Sequence, residues 1–89
     1  MRVRVRAFAT LASLLGSSDA LVELPDGSSV GDLLARLVEL YGRALGEALF
    51  DQDGGLAKYV KVMVNGRDID FLSGLSTKLK DGDEVFIFP

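Results

Sequence analysis

The chain opens on a strict alternation. From Arg2 to Arg6 (RVRVR), Val3 and Val5 fall on one side of an extended segment and Arg2, Arg4 and Arg6 on the other, which is the period of a half-buried strand. The same period returns from Tyr59 to Val64, where Val60, Val62 and Val64 oppose Lys61 and Met63, and from Val85 to Phe88, where Val85 and Ile87 oppose Phe86 and Phe88. Leu21 to Leu24 is a further candidate strand, ended by the loop Pro25-Asp26-Gly27. Asn65-Gly66 is a strong hairpin signal because both turn positions need positive φ. It predicts that Arg67 to Phe71 returns as a short strand. Lys80 to Glu84 (KDGDE) has the composition of a turn, its Asp side chains able to accept from nearby backbone amides.

Between these segments the period becomes helical. Val30, Leu33, Leu34, Leu37, Val38 and Tyr41 make one apolar stripe. Ser29 stands where a cap belongs, Asp32 favours the positive end of the helix, and Gly42 is a natural stop. Ala9 to Leu15, closed by Gly16, and Arg43 to Phe50 predict two short helices. One main helix can cover only one face of a sheet, so the pattern predicts an α+β fold in which a mixed sheet of about four to five strands packs on it. Val3, Val5, Leu21 or Val22, Val60, Val62, Val64, Val85 and Ile87 form the inward set. Parity leaves Arg4, Arg6, Phe8, Lys61, Met63, Phe86 and Phe88 on the opposite face or its rim, with Pro89 after them. Aromatic side chains ringed by cations on an uncovered face mark a partner-binding surface.

Composition narrows the chemistry. Eighty-nine residues with 48% hydrophobic and 26% charged side chains make a single globular domain, residues 1–89. No apolar run is long enough to span a bilayer, and the alternating start is unlike a signal peptide. A cytoplasmic protein with no membrane partner is expected. The chain has no histidine and no cysteine, which removes the usual ligands of zinc, iron and copper, any thiol nucleophile and the usual base of a triad. No metal site and no autonomous catalysis are expected. A net charge of −3 argues against nucleic acid as a partner and favours a basic protein.

The order of elements resembles the ubiquitin-like β-grasp fold. More specifically, VMVNGRDIDFLSGLSTKLKDGDEVFIFP, with FATLASLLG near the start, looks like the MoaD branch of the MoaD/ThiS sulfur carriers. The resemblance covers nearly the whole chain. It is densest at Phe8-Ala9, Val64-Asn65-Gly66 and Leu79 to Pro89. It implies the small subunit of molybdopterin synthase, whose C-terminal Gly-Gly is adenylated by an E1-like, MoeB-like adenylyltransferase and converted to a thiocarboxylate. The tail of such a protein enters the active site of a MoaE-like large subunit and donates sulfur to precursor Z in molybdenum or tungsten cofactor biosynthesis. No cofactor is expected on the folded domain, only the acyl-adenylate and thiocarboxylate on the tail. The given sequence departs from this pattern where it reaches Pro89, so the Gly-Gly is expected beyond it and no catalytic residue falls within 1–89. Phe8, Met63, Phe86, Phe88, Pro89, Arg4, Arg6 and Lys61 are the expected partner-binding residues. Three alternatives share the fold: a modifier conjugated to lysines, a ThiS-like carrier for thiazole synthesis, and a binding module that carries no sulfur.

Overall fold

In a computed structural model describing residues 1–89, the alternating segments are strands of one sheet. These are β1 (Arg2–Ala7), β2 (Asp19–Glu23), β3 (Lys61–Val64), β4 (Arg67–Asp68) and β5 (Glu84–Phe88), in the order β2-β1-β5-β3-β4. β1 and β5 run parallel, whereas β1–β2, β5–β3 and β3–β4 are antiparallel. A parallel pair needs a long connection, and this one contains α1 (Ala9–Leu15), α2 (Val30–Tyr41) and α3 (Arg43–Leu49). The architecture is the mixed-sheet β-grasp expected from the pattern.

The inward residues meet their expectation. Val3, Val5, Val22, Val60, Val62, Val64, Val85 and Ile87 are buried together with Val30, Leu33, Leu34 and Leu37 of α2. Each fully buried side chain of this size contributes about 1.5–3 kcal/mol before chain entropy is subtracted. The stripe is shorter than its sequence suggests, because Tyr41 is 38% exposed. Tyr41 is the last residue of α2, and Gly42, at φ 102°, follows it where the chain turns into α3. The lost length is replaced by the two short helices, whose Leu11, Leu15, Leu45 and Leu49 join the same cluster. α2 and α3 approach closely at Gly46, where a Cβ would lie only 3.2 Å from Cγ1 of Val38.

β2 begins at Asp19, two residues before its expected start at Leu21, and ends at Glu23, and two further boundaries differ from the alternation. Tyr59 lies in the turn before β3 and is 80% exposed, so the period continues past the point where pairing stops. The return strand after Asn65-Gly66 is two residues long rather than extending to Phe71. There the Asp68 carboxylate accepts from the Asp70 N–H at 2.9 Å and caps a 3-10 turn, Ile69–Phe71, which buries Ile69 in the core. The turn itself is as the dipeptide requires, with φ of 50° at Asn65 and 84° at Gly66.

The start of α2 is a reciprocal cap. The Asp32 N–H donates to Ser29 Oγ at 3.1 Å and the Ser29 N–H donates to Asp32 Oδ2 at 2.9 Å. The Ser29 amide and then its hydroxyl, with Lys78 nearby, hold the Asp32 carboxyl below its usual range. Ser29→Ala should lower unfolding stability by about 1 kcal/mol, read as a shift in the urea midpoint. Because the folded-state pKa of Asp32 is depressed, its contribution is present above the unfolded carboxylate range and is lost as pH falls through the lowered value. Asp32→Asn should therefore reduce stability at neutral pH and flatten the acid limb of the stability profile, checked by urea unfolding across acidic pH.

Candidate functional site

The sheet has helices on one face only, and its other face leads to the end of β5. Register places Arg6 beside Phe86, Phe86 beside Met63, and Phe88 beside Lys61. The expected partner-binding residues are thus brought together across three neighbouring strands, with exposed Pro89 following Phe88. Phe8 joins them through the backbone. Its N–H donates to the Ile87 carbonyl at 3.3 Å, and Ala9, at φ 53°, turns the chain sharply into α1. A positive φ costs a non-glycine residue roughly 1–2 kcal/mol. The ring of Phe8 then stacks on Phe88, with centroids 4.5 Å apart and planes 3° from parallel, and lies 6.4 Å from Phe86.

Phe86 and Phe88 are consequently half-buried rather than fully open, while Phe8 is 39% exposed. The surface is a stacked cluster whose outer part faces solvent. This differs from the pattern-based expectation of freely projecting rings, and the reason is the bond that folds Phe8 back along β5.

The cations around the cluster already have partners within the chain. Arg4 Nη1 lies 2.9 Å from Asp19 Oδ2, and Arg6 Nε lies 3.6 Å from Glu84 Oε2. Lys61 Nζ sits between Asp70 at 3.3 Å and Asp68 at 3.4 Å. Those two carboxylates, Asp70 first, hold the Lys61 ammonium above its ordinary range. Asp68 is held low by the Asp70 amide and then by Lys61. Arg4, Arg6 and Lys61 are therefore already paired within the chain, though each side chain stays partly exposed with further donors free. The missed acid of β2 was legible: in Asp19-Ala20-Leu21-Val22-Glu23 the alternation places Asp19 and Leu21 on the side of Arg4, as the register has it. Leu21, 57% exposed, and Phe71, 85% exposed, were also missed as surface apolar residues.

The acidic turn before β5 is structural, as its composition implies. Asp81 Oδ1 accepts from the Arg2 N–H at 2.8 Å, while Asp83 accepts from the Lys80 N–H at 2.8 Å and from Asn65 Nδ2 at 2.9 Å. No group of acidic side chains is placed to hold a metal ion, and no helix is long and apolar enough to cross a membrane. The stack makes a quantitative prediction. In a double-mutant cycle of Phe8→Ala and Phe88→Ala, followed by urea unfolding, the rings should couple by about 0.5–1.5 kcal/mol.

Comparison with known proteins gives a consistent picture. Residues 5–89 match the ThiS family. The chain is 35% identical over 89 residues to small archaeal modifier protein 3 of Haloferax volcanii, covering 100% of this chain and 95% of that one. It is 35% identical over 65 residues to the sulfur carrier protein CysO of Mycobacterium tuberculosis, covering 71% and 69% of the two chains. A Pyrococcus furiosus structure assigned as molybdopterin converting factor, subunit 1, superposes with a TM-score of 0.80 at 32% identity, covering 100% of this chain and 97% of that one. The chain belongs to the ThiS family and is one of its ubiquitin-like small proteins.

Proposed function

We propose that this protein is a sulfur carrier acting as the small subunit of molybdopterin synthase. The observation that carries the reading is the end of β5. The strand is fixed by β1 on one side and β3 on the other, stacked under Phe8, and directed outward at Pro89 beside an apolar surface. A rigid stem of this kind suits a reactive tail that must reach into another protein's site, since holding the stem removes freedom that binding would otherwise have to remove. The likeness to the Pyrococcus furiosus protein supports the molybdopterin branch, and the likeness to CysO supports sulfur carriage in general.

The reading assigns the chemistry to a C-terminal Gly-Gly tail that the carrier would bear after Pro89. An oxygen of the terminal carboxylate attacks the α-phosphorus of ATP on a MoeB-like enzyme, releasing pyrophosphate and leaving an acyl-adenylate. Hydrosulfide released by the sulfur donor then attacks the acyl carbon, displaces AMP and loses its proton to give the thiocarboxylate. In the active site of a MoaE-like subunit the thiocarboxylate sulfur bonds to a carbon of precursor Z as an oxygen substituent leaves, and water hydrolyses the resulting acyl–sulfur bond, releasing the tail as a carboxylate; two carriers supply the two sulfurs. The folded domain supplies no acid, base or metal to these steps. Its part is docking, through Phe8, Met63, Phe86 and Phe88, and placement of the stem. Because exposed ion pairs are individually weak, Arg4, Arg6 and Lys61 can exchange their internal carboxylates for a partner's at small cost, which favours orientation more than affinity. The full-length likeness to a modifier protein favours one second reading, in which the same activated tail is joined to lysines of target proteins.

Two experiments separate these readings. The chain carried on to a Gly-Gly end, incubated with the E1-like enzyme, ATP and a sulfur donor, should gain one sulfur for one oxygen in its intact mass. With precursor Z and the large subunit it should then yield molybdopterin. Isopeptide-linked target lysines without molybdopterin would establish the modifier instead, and no mass change would remove the carrier reading. Phe86→Ala and Phe88→Ala should each weaken binding to the large subunit by about 2 kcal/mol, measured by calorimetry. Unchanged affinity with a lowered unfolding midpoint would assign the rings to the fold alone.

A further inference from the structure

Ion pairing leaves one group of cations without partners. Of the ten Lys and Arg residues, Arg2, Arg4, Arg6, Arg36, Arg43 and Lys61 each lie 3.7 Å or less from a carboxylate. Lys58 sits by the Tyr59 ring. The other three, Arg67, Lys78 and Lys80, have no such carboxylate, and they line one shallow depression of about 440 Å³. Its one acid, Asp83, is held by the Lys80 N–H and by Asn65 Nδ2. The depression therefore carries an excess of positive charge in a chain whose net charge is −3. Lys78 Nζ donates to the Gly27 carbonyl at 3.1 Å and feels Asp32 nearby, which leaves two of its three donors unused.

The backbone beside these side chains selects among anions. Leu79 N–H donates to the Ser28 carbonyl and Val30 N–H to the Thr77 carbonyl, each at 2.9 Å, on either side of the bridged pair Ser29 and Lys78. In that arrangement the N–H and carbonyl of Lys78 point away from Ser29, and neither has a partner within the chain. A donor and an acceptor on one extended residue are both satisfied by a single residue of an antiparallel strand. A phosphate group can accept the N–H but has no donor for the carbonyl when ionised, and Asp83 repels it. A peptide also gains apolar contact from Leu72, half-buried in the same depression. A second copy of the chain does not fit. Its acid-x-acid sequences, residues 51–53, 68–70 and 81–83, each bend through a turn.

We propose that this depression is a docking site for an extended acid-x-acid segment of a partner protein, which pairs antiparallel with Lys78. Alternate residues of a strand share a face, so one carboxylate lies beside Lys78 and the other beside Lys80, with Arg67 in the same depression. The site adjoins Asp83, just before β5 begins, whereas Phe88 and Pro89 lie at the far end of that strand. It uses none of the stacked aromatic rings. A partner can hold it while the tail is engaged, and it stands whether or not the chain carries sulfur.

The test titrates the isotope-labelled chain with the peptide acetyl-Thr-Glu-Val-Glu-Thr-amide and with the same peptide carrying Lys in place of both Glu. The acidic peptide should shift the amide resonances of Arg67, Lys78 and Lys80 and slow exchange of the Lys78 amide, and the basic one should do neither. N-methylation of the second Glu removes the donor that meets the Lys78 carbonyl and should abolish that protection. N-methylation of the Val, whose N–H points away from the chain, should leave it. Arg67→Gln combined with Lys80→Gln alters two exposed side chains and should weaken binding about threefold to tenfold without moving the thermal unfolding midpoint. Equal binding of both peptides, protection that survives methylation of the second Glu, displacement of the peptide by equimolar inorganic phosphate, shifts confined to the aromatic face, or dimerisation at raised concentration would each overturn the proposal.

Discussion

The parallel pairing of β1 with β5 joins residues near the two ends of the sequence at the centre of the sheet. Arg4 to Ala7 lie alongside Glu84 to Ile87, so nearly the whole chain must be closed into one loop before the central pair exists. That closure costs entropy, offset by the apolar residues collected on one side of the pair. All three helices contribute to the same cluster. With the helices on that side, the other side of β5 has no covering layer, and an uncovered aromatic surface follows from how the sheet is closed.

The open face is arranged as an apolar cluster framed by charges that neutralise one another. Arg4 with Asp19, Arg6 with Glu84, and Lys61 with Asp68 and Asp70 leave few bare charges near Phe86 and Phe88. What such a face offers any partner is chiefly apolar area, with the ion pairs bearing on orientation more than on affinity. The Arg6 pair is the longest of these contacts, at 3.6 Å. Its carboxylate lies at the start of the same strand that ends in the aromatic rings, so strand and counter-charge are positioned together.

The parts of the fold that could be read from sequence are those in which local chemistry and tertiary packing agree. Asn65-Gly66 takes the positive φ values its dipeptide favours, Ser29 and Asp32 cap each other three residues apart, and the valines of β1 and β3 face the core as their alternation demands. The misreadings arise where distant packing decides. Alternation through Tyr59 continues past the last residue that has a strand neighbour. Arg67 to Phe71 is strand-like in composition, yet burying Ile69 bends it into a 3-10 turn. The placement of Phe86 and Phe88 on the face away from the helices was visible by parity, but the way Phe8 folds back on Phe88 was not, because it depends on a bond to Ile87 nearly eighty residues away. The acids that pair with the cations sit on neighbouring strands, so only the register reveals them.

Since β1 and β5 run the same way, residue 1 lies at one end of the central pair and residue 89 at the other. A force drawing those two ends apart pulls the strands past each other along their length. Their mutual hydrogen bonds are then strained together rather than opened one at a time from an end. The sheet therefore resists tension along this axis more strongly than it resists tension that peels β2 from its edge. Traction on residue 89 against a held residue 1 therefore loads the domain in its more resistant direction.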